Sequence, residues 1–205
     1  MSTDTNNTVT VQRTSDEEAS ARAYRPRLSF YHANGKGTGS AARFEVVPAC
    51  GDRDGAVYLT LAQQKSVATG SSDQGNRQYA TFDWPNRITV KLGFGDLCQM
   101  LLVFRGQSAA IADGKGLYHD SRASTTIINL TRQTEPHPGL ALEVSRRGKD
   151  GPEQPVRARI VFNAAEAFGL GAALEQNLGL LAFGIPRDAA SAPARQTAEA
   201  APSPF

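Results

Sequence analysis

RITVKLGFGDLCQMLLVF, residues 87–104, changes its apolar period midway, and that change decides the architecture. Ile88, Val90 and Leu92 alternate with Arg87, Thr89 and Lys91, the pattern of a strand with one apolar and one wet face. From Phe94 onward Leu97, Met100, Leu101 and Phe104 fall on one helical stripe instead, with Asp96 in the first turn, where negative charge is favoured. The spacing therefore predicts a strand running directly into a helix over 94–104.

The same two-residue alternation recurs on either side. Upstream, Ala42, Phe44 and Val46 alternate with Arg43 and Glu45, and Val57, Leu59 and Leu61 with Tyr58 and Thr60. Downstream come Thr126, Ile128 and Leu130, then Leu140, Leu142 and Val144, then Ala158, Ile160 and Phe162. Gly, Asp, Asn and Pro clusters separate these short runs, as expected of antiparallel strands. Asn163 then suits the N-cap of a longer helix in which Phe168, Leu174, Leu178 and Leu181 share an apolar face. The pattern has repeated, which predicts an α+β fold built from duplicated units of antiparallel strands closed by a helix. Arg87-Ile88 and Arg159-Ile160 mark the last strand of each half, and Gly35-Lys36-Gly37 and Gly114-Lys115-Gly116 precede the strands of each half. Gly169, Gly171 and Gly179 weaken the second helix in isolation but suit close helix-helix approach, and mark it as the expected oligomer contact.

Of 205 residues, 40% are hydrophobic, enough for a sizeable core. Residues 1–26 and 185–205 lack apolar periodicity and are expected to be tails flanking a domain at 27–184. The N-terminus has no apolar h-region, and Asp4, Asp16, Glu17 and Glu18 argue against a transit peptide. No stretch reaches the length of a membrane span. Cys50 and Cys98 form no framework of bridges and sit at no metal-ligand spacing, so a reducing, cytoplasmic setting is expected, with no cofactor. A net charge of +2 does not by itself announce nucleic acid, so position has to decide.

Arg43, Tyr58, Arg87, Lys91, Arg157 and Arg159 occupy outward strand positions. Cations that track phosphates and aromatic faces that stack unpaired bases are what a single-strand groove requires. The same face also suits charge pairing, Arg43 with the nearby Glu45 for example. Aromatics concentrate at Phe30-Tyr31-His32 and over 79–84, where Tyr31, Tyr79 and Trp84 are candidates to stack bases and Phe30, Phe82 and Trp84 are candidates for the core. With Lys36, Lys65 and Arg77 as further cations, the candidate nucleic-acid-binding set is Tyr31, Lys36, Arg43, Tyr58, Lys65, Arg77, Tyr79, Trp84, Arg87 and Lys91.

The Gly-rich segment 34–40 does not match a phosphate loop, because Lys36 is followed by Gly37 and then by a strand rather than by Ser or Thr and a helix. His32, His119 and His137 are scattered, and His119, Asp120 and Ser121 are neighbours on an extended chain without a nucleophile elbow, so no catalysis is expected. Pro204-Phe205 resembles the Pro-Phe end by which bacterial single-strand-binding proteins recruit partners, although only Glu199 lies near it, which makes the C-terminal tail a candidate partner site.

The order of short words along 28–184 resembles the Whirly family of single-stranded DNA-binding proteins. Gly35-Lys36-Gly37 through Ser40-Ala41-Ala42 stands where the family carries Lys-Gly-Lys-Ala-Ala-Leu, and Gly55-Ala56-Val57-Tyr58-Leu59-Thr60 is similar to its Gly-Ser-Leu-Met-Met-Thr strand. Phe82-Asp83-Trp84 resembles its Tyr-Asp-Trp turn, Leu117-Tyr118-His119-Asp120 its Phe-Phe-His-Asp, and Ala165-Glu166-Ala167-Phe168 its Lys-Ala-Glu-Phe. Thr38 or Gly39 replaces the family's second Lys, and 66–76 has no counterpart. The resemblance implies two four-stranded antiparallel sheets, roughly perpendicular, with helices that assemble a homotetramer. It further implies binding of single-stranded DNA with little sequence preference, in replication, recombination, repair or transcription. The expected setting is bacterial or phage-like and nucleoid-associated. RNA binding or annealing, and a non-catalytic scaffold, are the rival expectations.

Overall fold

The computed structural model describes residues 27–70, 78–135, 138–151 and 154–185; the expected tails, Arg77 and His137 lie outside them, save Ile185. The first half runs β1 (Arg27–His32), β2 (Ser40–Val47), β3 (Ala56–Ser66), β4 (Thr81–Phe82), β5 (Ile88–Leu92) and α1 (Phe94–Phe104). A short 3-10 turn at Ile111–Gly114 leads to β6 (Leu117–Asp120), β7 (Ser124–Gln133), β8 (Gly139–Gly148), β9 (Val156–Asn163), α2 (Ala164–Gln176) and α3 (Leu178–Phe183).

All pairings are antiparallel: β1-β2-β3 with both β4 and β5 against β3 in one sheet, and β6-β7-β8-β9 in the other. The long β3 carries β5 along 57–61 and the two-residue β4 beyond it, so β4 is the one strand added to the four-plus-four expectation. The duplicated unit is thus present, but the two Gly-Lys-Gly words are not equivalent within it. Gly35-Lys36-Gly37 lies in the β1–β2 turn, whereas Gly114-Lys115-Gly116 precedes β6, the counterpart of β1. Alternation hides β1 in the sequence, because a large aromatic, Tyr31, faces outward and a polar residue, His32, faces inward.

The alternating apolar residues of both sheets and the stripes of α1 and α2 form one core, including Leu59, Leu97, Met100, Leu142, Ile160 and Phe162. Phe162 of β9 meets Phe30 and Phe44 of the first sheet at ring-centroid distances of 5.0 and 6.3 Å. Arg146 of β8 ties the sheets through its Nη2, which donates to the Thr89 carbonyl of β5 at 2.5 Å, while its Nε donates to Thr126 Oγ1 of its own sheet at 3.1 Å. Burial lowers the pKa of this guanidinium from its ordinary value.

Both helix starts follow from sequence. Asp96 Oδ2 accepts the Gly93 amide at 2.9 Å; Asn163 Oδ1 accepts the Glu166 amide at 3.0 Å while Glu166 Oε2 accepts the Asn163 amide, a full capping box. The same carboxylates carry a cross-half contact. His119 of β6 lies 3.1 Å from Asp96 of α1, and His32 of β1 lies 2.8 Å from Glu166 of α2. Each half therefore lends the histidine of its first strand to the helix that closes the other half.

The second helix is not continuous. It breaks at Asn177, whose Nδ2 donates to the Ala173 carbonyl at 2.6 Å. Leu174 and Leu181 are buried, but Phe168 is 81% exposed. At 3.6 residues per turn Phe168 stands about 200° around the helix from Leu170, which faces the core. Gly171 is taken up within the chain, where a Cβ would press on the Phe104 side chain, 3.1 Å from its Cβ and 3.2 Å from the ring, while Gly169 and Gly179 remain open.

Gln64 locks the β1–β2 turn that presents Lys36. Its Oε1 accepts the amides of Asn34 and Gly39 at 2.9 and 3.0 Å, and its Nε2 donates to the carbonyls of Asn34 and Ser66 at 3.0 and 2.9 Å. Gly39 has no room for a Cβ, which would run into the His32 carbonyl and the Gln64 side chain. Replacing Gln64 by Ala strands four backbone groups, of which Gly39 N is buried; a loss of about 2 kcal/mol in urea unfolding is expected.

Candidate nucleic-acid interface

The outer face of the first sheet is organised in rows by its register. Tyr31, Ala41 and Ala62 form one row; Ser29, Arg43, Thr60 and Thr89 the next; Arg27, Glu45, Tyr58 and Lys91 the third. Ala41 and Ala62 are buried although they lie outside the core cluster, and their small side chains leave room for rings above the sheet. Tyr31 packs on Phe82 at 5.6 Å and on Trp84 at 6.4 Å, the latter edge-on. Arg43 lays its guanidinium over the Trp84 ring at 4.2 Å, a cation–π contact that fixes both groups. Arg87 Nη1 donates to the Trp84 carbonyl at 2.8 Å, which brings a second guanidinium to the same place.

These groups border a recess of about 370 Å³ lined by Arg43, Glu45, Tyr58, Thr60, Trp84, Arg87 and Thr89. Six of the candidate residues thus converge on one face: Tyr31, Arg43, Tyr58, Trp84, Arg87 and Lys91. Phe30 belongs to the core side, whereas Phe82 and Trp84 join Tyr31 on the surface, half-buried. The charge pairing that competed for this face is not formed: among the described residues the ion pairs are His32–Glu166, Arg105–Glu175, His119–Asp96 and Lys149–Asp120.

The remaining candidates stand apart. Lys36 sits on its locked turn, Lys65 is exposed at the register shift between Gln64 and Ser66, and Tyr79, 73% exposed, follows the Thr69–Gln78 bridge. Arg77 lies outside the described residues. Glu45, Thr60 and Thr89 join the recess although they were not among the candidates; their outward positions in alternating strands were the available signal.

A second groove of about 420 Å³ lies between the sheets, lined by 37–40 of the first half and by Glu143, Arg157 and Arg159 of the second. Gln63 Nε2 donates to the Arg157 carbonyl across it at 2.8 Å. On the outer face of the second sheet, Lys149 and Thr125 both bond Asp120 and hold its carboxyl below the ordinary aspartate value. That contact is present at neutral pH and is lost only as pH falls through the lowered value.

No protein-family model matches the chain, and no curated protein matches its sequence. Solved structures do. WHY1 from Arabidopsis thaliana superposes with a TM-score of 0.55 at 16% identity, over 77% of this chain and 85% of that one. Trypanosoma brucei MRP1/MRP2 gives 0.52 at 18% identity, over 82% and 92%, and WHY3 from Arabidopsis thaliana gives 0.50 at 16%, over 76% and 90%. With two packed antiparallel sheets and helices in this order, the chain has the fold of the Whirly proteins.

Proposed function

We propose that the outer face of the first sheet binds single-stranded nucleic acid, DNA in the first instance, for DNA maintenance or transcription. The observation that carries this is Arg43 stacked on Trp84 beside Tyr31 and Phe82, on a sheet face whose cations form no ion pairs among the described residues. Aromatic faces accept bases of any identity, and Arg43, Arg87 and Lys91 meet phosphates, so binding is tolerant of sequence along most of the strand. The Whirly-like fold supports the same reading, and no chemistry is assigned to the site.

Three engaged cations give a log–log salt slope of roughly −2 for a single strand, so raising salt from about 50 to about 200 mM weakens binding roughly twentyfold. Fluorescence anisotropy with labelled oligo-dT measures this. Absence of binding at low salt, with duplex bound well, would end the proposal. Competition between matched DNA and RNA oligomers decides which nucleic acid is preferred.

A homotetramer assembled through the helices fits the exposed Phe168 and Phe183, 81% and 89% accessible, near the open Gly169 and Gly179. Light scattering would then give a particle several-fold heavier than 21.9 kDa.

A further inference from the structure

A carboxylate is out of place on a surface that attracts phosphates. Glu45 nevertheless lies at the middle of the first-sheet face, opposite Tyr58 and Arg27 in register, half-buried and lining the recess. It makes no ion pair among the described residues. Beside it, Arg43 Nε is buried without a hydrogen-bond partner while its guanidinium rests on Trp84. Thr60 and Thr89 bond each other at 3.1 Å and satisfy neither group. Among the described residues the recess thus brings a carboxylate that no donor meets beside a guanidinium that no acceptor meets, in a volume of about 370 Å³ walled by Tyr58 and Trp84.

A carboxylate only accepts and a guanidinium only donates, so the occupant must present donors to one and acceptors to the other. Thymine and uracil offer one ring N–H flanked by carbonyls, whose lone pairs would face Glu45. Cytosine and adenine offer one exocyclic amine beside an unprotonated ring nitrogen, again a lone pair toward the carboxylate. Guanine alone places two donors side by side, N1–H and the N2 amine, matching both carboxylate oxygens. Its O6 and N7 remain for a guanidinium, the commonest base contact of arginine.

We infer that this recess reads a single unstacked guanine within the bound strand, with Glu45 on its Watson–Crick edge and Arg43 or Arg87 on O6 and N7. The inference rests on the proposed single-strand function. It adds one selective position to an otherwise tolerant track.

The test compares a dT oligomer with the same oligomer carrying one central dG, and with deoxyinosine, which lacks the N2 amine, in that position. Wild-type protein should bind the dG oligomer about tenfold tighter than all-dT, with deoxyinosine between them. Glu45→Gln should bind all-dT roughly twofold tighter, because a charge that repels phosphate is gone, yet lose most of the dG preference. A protein damaged in folding would lose affinity for every oligomer, so gained dT affinity with lost selectivity identifies the role. Equal binding of all-dT and dG oligomers by wild type, or an undiminished preference in Glu45→Gln, overturns the guanine assignment and leaves the single-strand reading standing. No binding to any oligomer overturns both.

Discussion

Trp84→Ala is expected to weaken binding of a labelled dT oligomer by about a hundredfold while leaving the protein folded. The indole has two roles that the substitution removes together. As a stacking surface it is worth about 1–3 kcal/mol per base. As the support beneath Arg43, at 4.2 Å, it holds the guanidinium in place, a contact worth about 0.5–2 kcal/mol. Without the ring, Arg43 regains its rotamers and must be reordered by each strand it binds. The Arg87 bond runs to the Trp84 backbone carbonyl and survives the change. Trp84→Phe keeps a smaller ring and should recover a good part of the affinity. Anisotropy titrations measure the effect, and a thermal melt alongside them shows that the fold is kept. If Trp84→Ala binds within about threefold of wild type, bases are stacked elsewhere.

Phe162→Ala is expected to cost about 3–5 kcal/mol in urea unfolding, the range for deleting a large buried aromatic. Phe162 is fully buried where β9 of the second sheet meets β1 and β2 of the first, with its ring 5.0 Å from Phe30, 6.3 Å from Phe44 and 6.4 Å from His32. The cavity would open at the joint between the sheets, where backbone pairing on both sides limits collapse. β1 carries Phe30 inward and Tyr31 outward, so loosening this joint also disturbs the aromatic cluster on the far side of the strand. Weaker strand binding should therefore accompany lower stability. Phe162→Leu fills most of the volume and should cost less than half as much. A loss below about 1 kcal/mol for Phe162→Ala would mean that the two sheets are not held together by this cluster.

Much of the fold was legible because local rules and tertiary packing agreed. The period change over 87–104 located α1 at its observed bounds, and Asn163 announced the start of α2. The inward residues of β2, β3, β5, β7, β8 and β9 were read from alternation and are the residues that build the core. β1 and β6 escaped because each carries a tyrosine outward, Tyr31 and Tyr118, and a histidine inward, His32 and His119, against the expected alternation. β4, two residues long, is too short to show any period. The Gly-Lys-Gly words misled as markers of the repeat because glycine-rich turns recur wherever strands reverse.

For the candidate site, alternation along each strand already assigned which side chains face outward, since successive residues of a strand take opposite faces. It did not determine which residues share a row, because register joins β1, β2, β3 and β5 through pairings that span tens of residues. Packing of the whole chain laid Arg43 on Trp84, left Glu45 beside it without an ion pair among the described residues, and set His32 and His119 against the helix of the opposite half. A strand's period is a property of its own backbone, whereas a neighbour across the sheet, or across the core, is chosen by the packing of the whole chain.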